Sequence, residues 1–232
     1  MLRTQTVEKG TLDLIKKLMS DNKLNKFTLV GGTALALKIG HRTSIDIDLF
    51  TVGIFNASDL AAHLSTSYHA VEVRTLTNGV FCFIDDIKVD LISHQYPSVD
   101  KVDTEEGIRM ASLLDIGAMK LNAIYNNGTR LKDFVDMYYL LEVFALEELL
   151  RACHKKYPDI NLRMVRTSLT HFADIDFSPP IHYFGREPKW AEIAERLTKA
   201  SQNMYVKFDI PKIARELLAR KPAKGKTKGR RL

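Results

Sequence analysis

Two aspartates one residue apart, in an otherwise apolar run, constrain this chain more than any other feature. They are Asp46 and Asp48 of Ile45-Asp46-Ile47-Asp48-Leu49-Phe50, inside the stretch TLVGGTALALKIGHRTSIDIDLF. The run reads as a strand over 45–50, and a strand places residues i and i+2 on one face. Ile45, Ile47 and Leu49 are therefore expected in the core, with both carboxylates together on the opposite, wet face. Carboxylates this close repel each other, and their pKa values rise unless a cation sits between them. Magnesium meets that need with oxygen ligands, commonly sharing its coordination with substrate phosphates.

Two neighbouring signals fit the same chemistry. Phe27 to Val30 reads as a short buried strand that turns through Gly31-Gly32 into a helix from Thr33, ended by Gly40. Such a turn presents free backbone N–H groups at the positive end of a helix dipole, where a triphosphate can approach glycines without side-chain interference. Thr33 adds a hydroxyl. The pattern is neither a Walker A loop nor a dinucleotide fingerprint. Further on, Phe81 to Ile84 and Ile87 to Ile92 flank Asp85-Asp86, the composition of a tight hairpin. The second of these strands puts Lys88 and Asp90 on its polar face, so Asp90 is the candidate third carboxylate. Three carboxylates on adjacent strands can hold two metals roughly 4 Å apart for in-line phosphoryl or nucleotidyl transfer.

Elsewhere the chain is ordinary. Its 232 residues can bury a sizeable core, and the 45% hydrophobic, 27% charged composition is that of a globular protein. No apolar run is long enough to cross a bilayer, and MLRTQTVEKG lacks the h-region of a secretory signal. Cys82 and Cys153 have no metal-ligand spacing, as expected of reduced structural thiols in a cytoplasmic protein. The net charge of +6 belongs to the end of the chain, because RKPAKGKTKGRRL alone carries seven basic residues and no acid. That tail is expected to be disordered. It is either an electrostatic arm for nucleic acid or simply a solubilising end.

Periodicity predicts helices over 7–20, 57–67 with Ser58 as its cap, 112–125 opened by Ser112, 131–150, 160–173, 188–200 and 210–219. The expected organisation is an α/β domain over 1–100, a helical domain over 101–219 and the tail over 220–232. Tyr138, Tyr139 and Phe144 are expected in the core, and no histidine is assigned chemistry.

Singly, Gly-Gly is a tight turn and Asp-x-Asp an exposed strand face. Together, with a helix between them and an aspartate on a later strand, they resemble the nucleotidyltransferase fold related to DNA polymerase β. The match is closer still to the AbiEii/AbiGii family of bacterial nucleotidyltransferase-like toxins. It rests on Gly31 to Leu35, His41 to Phe50, Asp115 to Ile124 and Lys132 to Tyr138, and covers about residues 28–141. The resemblance implies an α+β nucleotidyltransferase domain with a short mixed sheet flanked by helices, followed by a helical domain. Carried over residue by residue, its functional positions are Gly31, Gly32, Asp46, Asp48, Asp90, Lys120 and Asp133.

The implied reaction moves a nucleoside monophosphate from a nucleoside triphosphate to an acceptor hydroxyl and releases pyrophosphate. Asp46 and Asp48 would hold two Mg2+ ions, for which Mn2+ can substitute. Asp90 would join the metal at the acceptor hydroxyl and take its proton. Lys120 would stabilise phosphate charge, and Asp133 would orient Lys120 or contact the nucleotide. Ser44 is counted with the nucleotide contacts. Arg42 has two open roles, neutralising Asp46 and Asp48 or touching the γ-phosphate. The turn Asn127-Gly128 departs from the Arg-Gly of many relatives, leaving Arg130 to supply a phosphate contact there. The implied acceptor is RNA, such as the 3′ end of tRNA, and the implied biology is a toxin restrained by a cognate antitoxin, with no membrane partner. Alternatives are a nucleotidyltransferase acting on a small-molecule or protein hydroxyl, and a catalytically idle nucleotide- or RNA-binding module.

Overall fold

The structure, a computed structural model, describes residues 1–208; the tail and the helix expected over 210–219 lie outside them. The first half alternates helices and strands: α1 (Lys9–Ser20), β1 (Thr28–Leu29), α2 (Gly31–Ile39), β2 (Ile47–Thr51) and α3 (Ala57–Tyr68). Five more strands follow: β3 (Val71–Leu76), β4 (Gly79–Ile84), β5 (Ile87–Ser93), β6 (Asp103–Glu105) and β7 (Ile108–Met110). The rest is helical: α4 (Leu113–Asn126), α5 (Leu131–Leu140), α6 (Leu146–Lys156), α7 (Leu162–Ser168) and α8 (Trp190–Gln202).

All seven strands join one mixed sheet in the order β3-β4-β5-β2-β1-β7-β6. β2 runs parallel to β5 and β1 parallel to β7, while the remaining pairs are antiparallel. Ile47 and Leu49 on β2 and Val89 and Leu91 on β5 are essentially inaccessible. Their period of two pins the register, because a one-residue slip would send the apolar set to solvent. The same core continues through Ile15 and Leu18 of α1 and Leu35 of α2 to Ile116, Phe134 and Leu149 of the helical half.

Local chemistry explains most boundaries. Gly40 ends α2 in the left-handed conformation (φ 74°), which suits a residue without a Cβ. Asp85 and Asp86 both have positive φ, 49° and 62°, as the two-residue hairpin turn requires. Ser112 caps α4 by accepting from the Asp115 amide at 3.0 Å. For α3 the cap is Asn56, which accepts from Ser58 N and Asp59 N, and not Ser58 as expected.

Four further expectations are revised. The sheet extends to Met110 because β7 pairs with β1, so residue 100 falls inside it. The helix expected over 131–150 is two, since the chain turns after Leu140 and restarts with the Ala145 amide donating to Glu148 at 2.9 Å. β3, β6 and β7 are additional strands, and β3 is exposed along almost its whole length. Ile45 is 57% exposed because β2 begins two residues later.

Candidate active site

The glycine turn lies directly beneath the carboxylates. The Val30 amide donates to the Asp48 carbonyl at 2.9 Å, fixing the end of β1 against β2. Gly31 follows with φ +69°, and a Cβ there would run into Asp48 Oδ2. Glycine is thus needed both for the backbone and for the approach of the carboxylate. A Cβ on Gly32 would lie 2.6 Å from Arg42 Nη2, so the loop after α2 folds down onto the turn. α2 starts at Gly31, which points the positive end of its dipole at this place.

Asp48 and Asp90 sit directly opposite each other on the parallel strands β2 and β5. Lys88, two residues before Asp90, puts its ammonium 2.5 Å from Asp90 Oδ2. Asp90 Oδ1 is buried with no hydrogen-bond donor. Burial, and then the charge of Asp90, push Asp48 up to about 6, against the pull of Lys120 and Lys88. Three carboxylates here share one closely bound ammonium, which sits on Asp90, and the deficit of positive charge falls on Asp48.

Asp46 is displaced from its expected place. It precedes β2, is exposed, and meets the site chiefly through its charge, which adds to the rise of Asp48. The loop before it is held off the sheet by Ser44 N bonded to the Thr6 carbonyl and Thr43 N to that of His182. Among the described residues, no three His, Cys, Asp or Glu side chains converge to hold a metal together. The structure brings Asp48 and Asp90 together as a pair across β2 and β5, with Asp46 exposed just before β2. That pair suits a divalent cation on two counts: an orphaned buried oxygen on Asp90 and a raised pKa on Asp48, both relieved by positive charge.

Thr33 and Arg42 are also redirected. Thr33 is buried, and its hydroxyl is shared between Ser44 Oγ at 2.9 Å and the Asp46 carbonyl. It clamps the loop instead of offering a hydroxyl to phosphate. Arg42 is 3% exposed, and its fork grips Asp136, with Nε to Oδ1 at 2.7 Å and Nη2 to Oδ2 at 2.9 Å. It neutralises Asp136, and not Asp46 and Asp48.

Asp136 is the residue missed by the sequence reading. Fully buried on α5, it also meets His41 Nε2 at 2.8 Å and Lys120 Nζ at 2.7 Å. Burial alone would raise its pKa, but Arg42 and Lys120 hold it well below the usual carboxylate range. Lys120 is shared with Asp133 Oδ1 at 2.6 Å, so two buried acids answer two buried bases. Burial pushes His41 down, which keeps it neutral. One local signal was available: Asp133 and Asp136 are three apart and therefore lie on one face of a helix that is otherwise largely apolar.

Beside this cluster lies a cationic pocket of about 190 Å³, lined by Gly32, Ser44, Lys120, Arg130 and Lys132 and closed by a strap over 180–182. The strap is stitched to the loop after α2, with Thr43 N donating to His182 O at 2.8 Å and Phe184 N to His41 O at 3.0 Å. Arg130 has a largely exposed side chain and stands 3.6 Å from Asp133 Oδ2. Asn127 accepts from Thr129 N and Oγ1, which orders the turn before it.

A mixed sheet with a glycine turn beneath paired aspartates, next to a cationic pocket, defines the nucleotidyltransferase class. A crystal structure of a candidate nucleotidyltransferase from H. pylori shares the fold, with TM-score 0.54 and 18% identity over 85% of this chain and 96% of that one. The family model for the AbiEii nucleotidyl transferase toxin of type IV toxin–antitoxin systems matches residues 13–208, and the chain belongs to that family. An uncharacterized protein of Aquifex aeolicus strain VF5 is 29% identical over 195 residues, covering 82% of this chain and 93% of its own. The chain is thus a nucleotidyltransferase toxin of a family whose systems pair toxin with antitoxin. Among the described residues no helix is long and apolar enough to cross a membrane.

Proposed function

We propose that the protein transfers a nucleoside monophosphate from a nucleoside triphosphate to a hydroxyl of RNA, with the 3′ end of tRNA as the preferred acceptor, and that the reaction depends on magnesium. The observation that carries this reading is the Asp48–Asp90 pair, in register on adjacent strands above Gly31 and short of positive charge. Asp48 and Asp90 would hold the divalent cation, which when bound would supply charge stabilisation to the phosphate under attack. Gly31 and Gly32 let phosphates approach the backbone amides at the start of α2. Lys120, Arg130 and Lys132 line the pocket that receives the triphosphate tail, and Ser44 stands at its rim. Asp133 and Asp136 are positioning residues, fixing Lys120 through bonds of 2.6 and 2.7 Å. Asp46 adds negative charge that favours cation binding. Burial and Asp90 raise Asp48 to about 6, and a bound divalent cation would favour its ionised, ligating form.

The test is incubation with each α-labelled nucleoside triphosphate, magnesium and total cellular RNA, followed by mapping of the labelled molecule. Label at the 3′ end of tRNA, lost in Asp48→Ala and Asp90→Ala together with growth inhibition, is the expected result. Label on protein or a small hydroxylated compound instead would move the acceptor. Full toxicity in Asp48→Ala would refute the mechanism.

A further inference from the structure

A second cavity, of about 340 Å³, opens on the carboxylate face of the sheet and is not used by the chemistry above. Three separate segments place it on the far side of Asp48 from the cationic pocket. Along β2 and its approach, Ser44 and Ile45 line the cationic pocket, Asp48 follows, and Phe50 and Thr51 line the second cavity. Phe50 shares the face of Asp48, two residues and therefore roughly 7 Å further along the strand. In the glycine turn the order repeats: Val30 lines the second cavity, Gly31 underlies Asp48, and Gly32 lines the cationic pocket. On α4, Met119 and Lys120 divide in the same way. The carboxylates thus stand between a cationic compartment and an aromatic one.

The aromatic character is specific. The Phe50 and His94 rings have centroids 5.1 Å apart, and those of His94 and Tyr96 are 4.8 Å apart. Tyr157 backs the group, 4.7 Å from Tyr96, and its hydroxyl lies 3.1 Å from His94 Nε2. Tyr96 is 43% exposed, so one ring of the cluster is open to a ligand. The ions in the wall, Asp115 and Lys156, satisfy each other at 3.0 Å and fasten the loop from Pro97 to Asp100. What remains for a ligand is ring surface edged by hydroxyls, with exposed Lys26 also in the wall, in a volume at the small end of ligand sites.

We propose that this cavity is a nucleoside subsite, in which a planar base stacks among Phe50, His94 and Tyr96 while its phosphate or hydroxyl reaches Asp48 and Asp90. The proposal rests on the nucleotidyltransfer reading for the orientation, but not for the stacking itself. Transfer needs the departing pyrophosphate on one side of the reacting α-phosphorus and nucleosides on the other, which is how the two compartments are arranged. Aromatic side chains stack every base, since each has a π-face. Burial and Lys156 push His94 down to about 4, so its ring is neutral at physiological pH and stacks without carrying charge into the site. The base belongs either to the incoming nucleotide or to the terminal residue of the acceptor.

Calorimetric titration of the full chain distinguishes these sources. The probes are the four nucleosides, their triphosphates, a trinucleotide ending in CCA, and inorganic tripolyphosphate. The proteins are wild type, Tyr96→Ala, Tyr96→Phe and His94→Ala, with circular dichroism melts to establish that each is folded. Losing one stacking ring is expected to weaken base-containing probes by roughly 5- to 150-fold. Tyr96→Phe should bind them as wild type does, and tripolyphosphate affinity should stay constant throughout. Loss confined to triphosphates assigns the cavity to the incoming base, and loss confined to the trinucleotide assigns it to the acceptor. Unchanged affinity for every base-containing probe in both alanine variants would overturn the subsite. Nucleoside binding in wild type without tripolyphosphate binding would instead sink the nucleotidyltransfer reading and leave the subsite standing.

Discussion

Two clusters of charge lie within reach of Lys120, and they are built on opposite terms. Around Asp136, two buried carboxylates meet two buried cations at 2.6 to 2.9 Å, so charge is balanced, although Asp133 Oδ2 and His41 Nδ1 have no hydrogen-bond partner. Around Asp48, three carboxylates share Lys88, one buried oxygen has no donor, and the central acid is pushed up to about 6. A network balanced in charge holds elements in place; one short of positive charge is kept where a cation or substrate will complete it. The first therefore belongs to architecture and the second to chemistry, and Lys120 joins them.

The largest test breaks the balanced cluster. Asp136→Ala leaves Arg42 buried without its partner and Lys120 with Asp133 alone, and should cost about 3–5 kcal/mol of stability, read by urea denaturation. A loss under 1 kcal/mol would mean that Asp133 and water suffice, and the contrast would fail. Next is Gly31→Ala, which forces a side chain into a left-handed backbone and against Asp48 Oδ2. It should cost about 1–3 kcal/mol and displace the carboxylate, so that divalent-ion affinity falls with it.

The opposite sign is expected at the open cluster. Because the folded-state pKa of Asp48 lies above its ordinary 3.8, its folded form binds more protons than its unfolded form. The contribution of this group is fully present below about 3.8 and is lost as pH rises through 6. Asp48→Asn should therefore gain about 1–2 kcal/mol at pH 8, and nothing at pH 4. Denaturation midpoints at the two pH values decide it, and a destabilised Asn variant at pH 8 would contradict the assigned imbalance. Smallest is Lys88→Ala, which removes the ammonium already on Asp90. Divalent-ion affinity should rise by roughly 1.5- to 5-fold, the effect of a partly exposed pair.

The same contrast shows what a sequence exposes. The open cluster was legible because its residues are close in the chain or share a strand pattern: Gly31 before a helix, Asp48 in an apolar run, Asp90 on a polar strand face. Even there, Asp46 was misplaced, since nothing local reveals that the strand starts one residue after it. The balanced cluster was illegible as a unit. Arg42 and Asp136 are 94 residues apart, and no periodicity couples a loop to a helix at that range. Arg42 was accordingly matched with the acids nearest in sequence. The fold followed the same division: α2, the Asp85-Asp86 hairpin and the cap of α4 have local chemistry to announce them. β3 alternates as Val71-Glu72-Val73-Arg74 but is exposed along almost its whole length, so that pattern marks no buried face, and the three-residue strands β6 and β7 are too short to show a period.

The strap over 180–184 has a consequence for synthesis. It supplies the backbone partners of Thr43 and His41, and it walls the cationic pocket from a point late in the chain. A nascent polypeptide that has reached Asp136 already contains every carboxylate of the two clusters, yet the compartment beside them stays open until His182 and Phe184 have left the ribosome. Completion of that compartment thus waits on a segment translated after every residue of the two charge clusters.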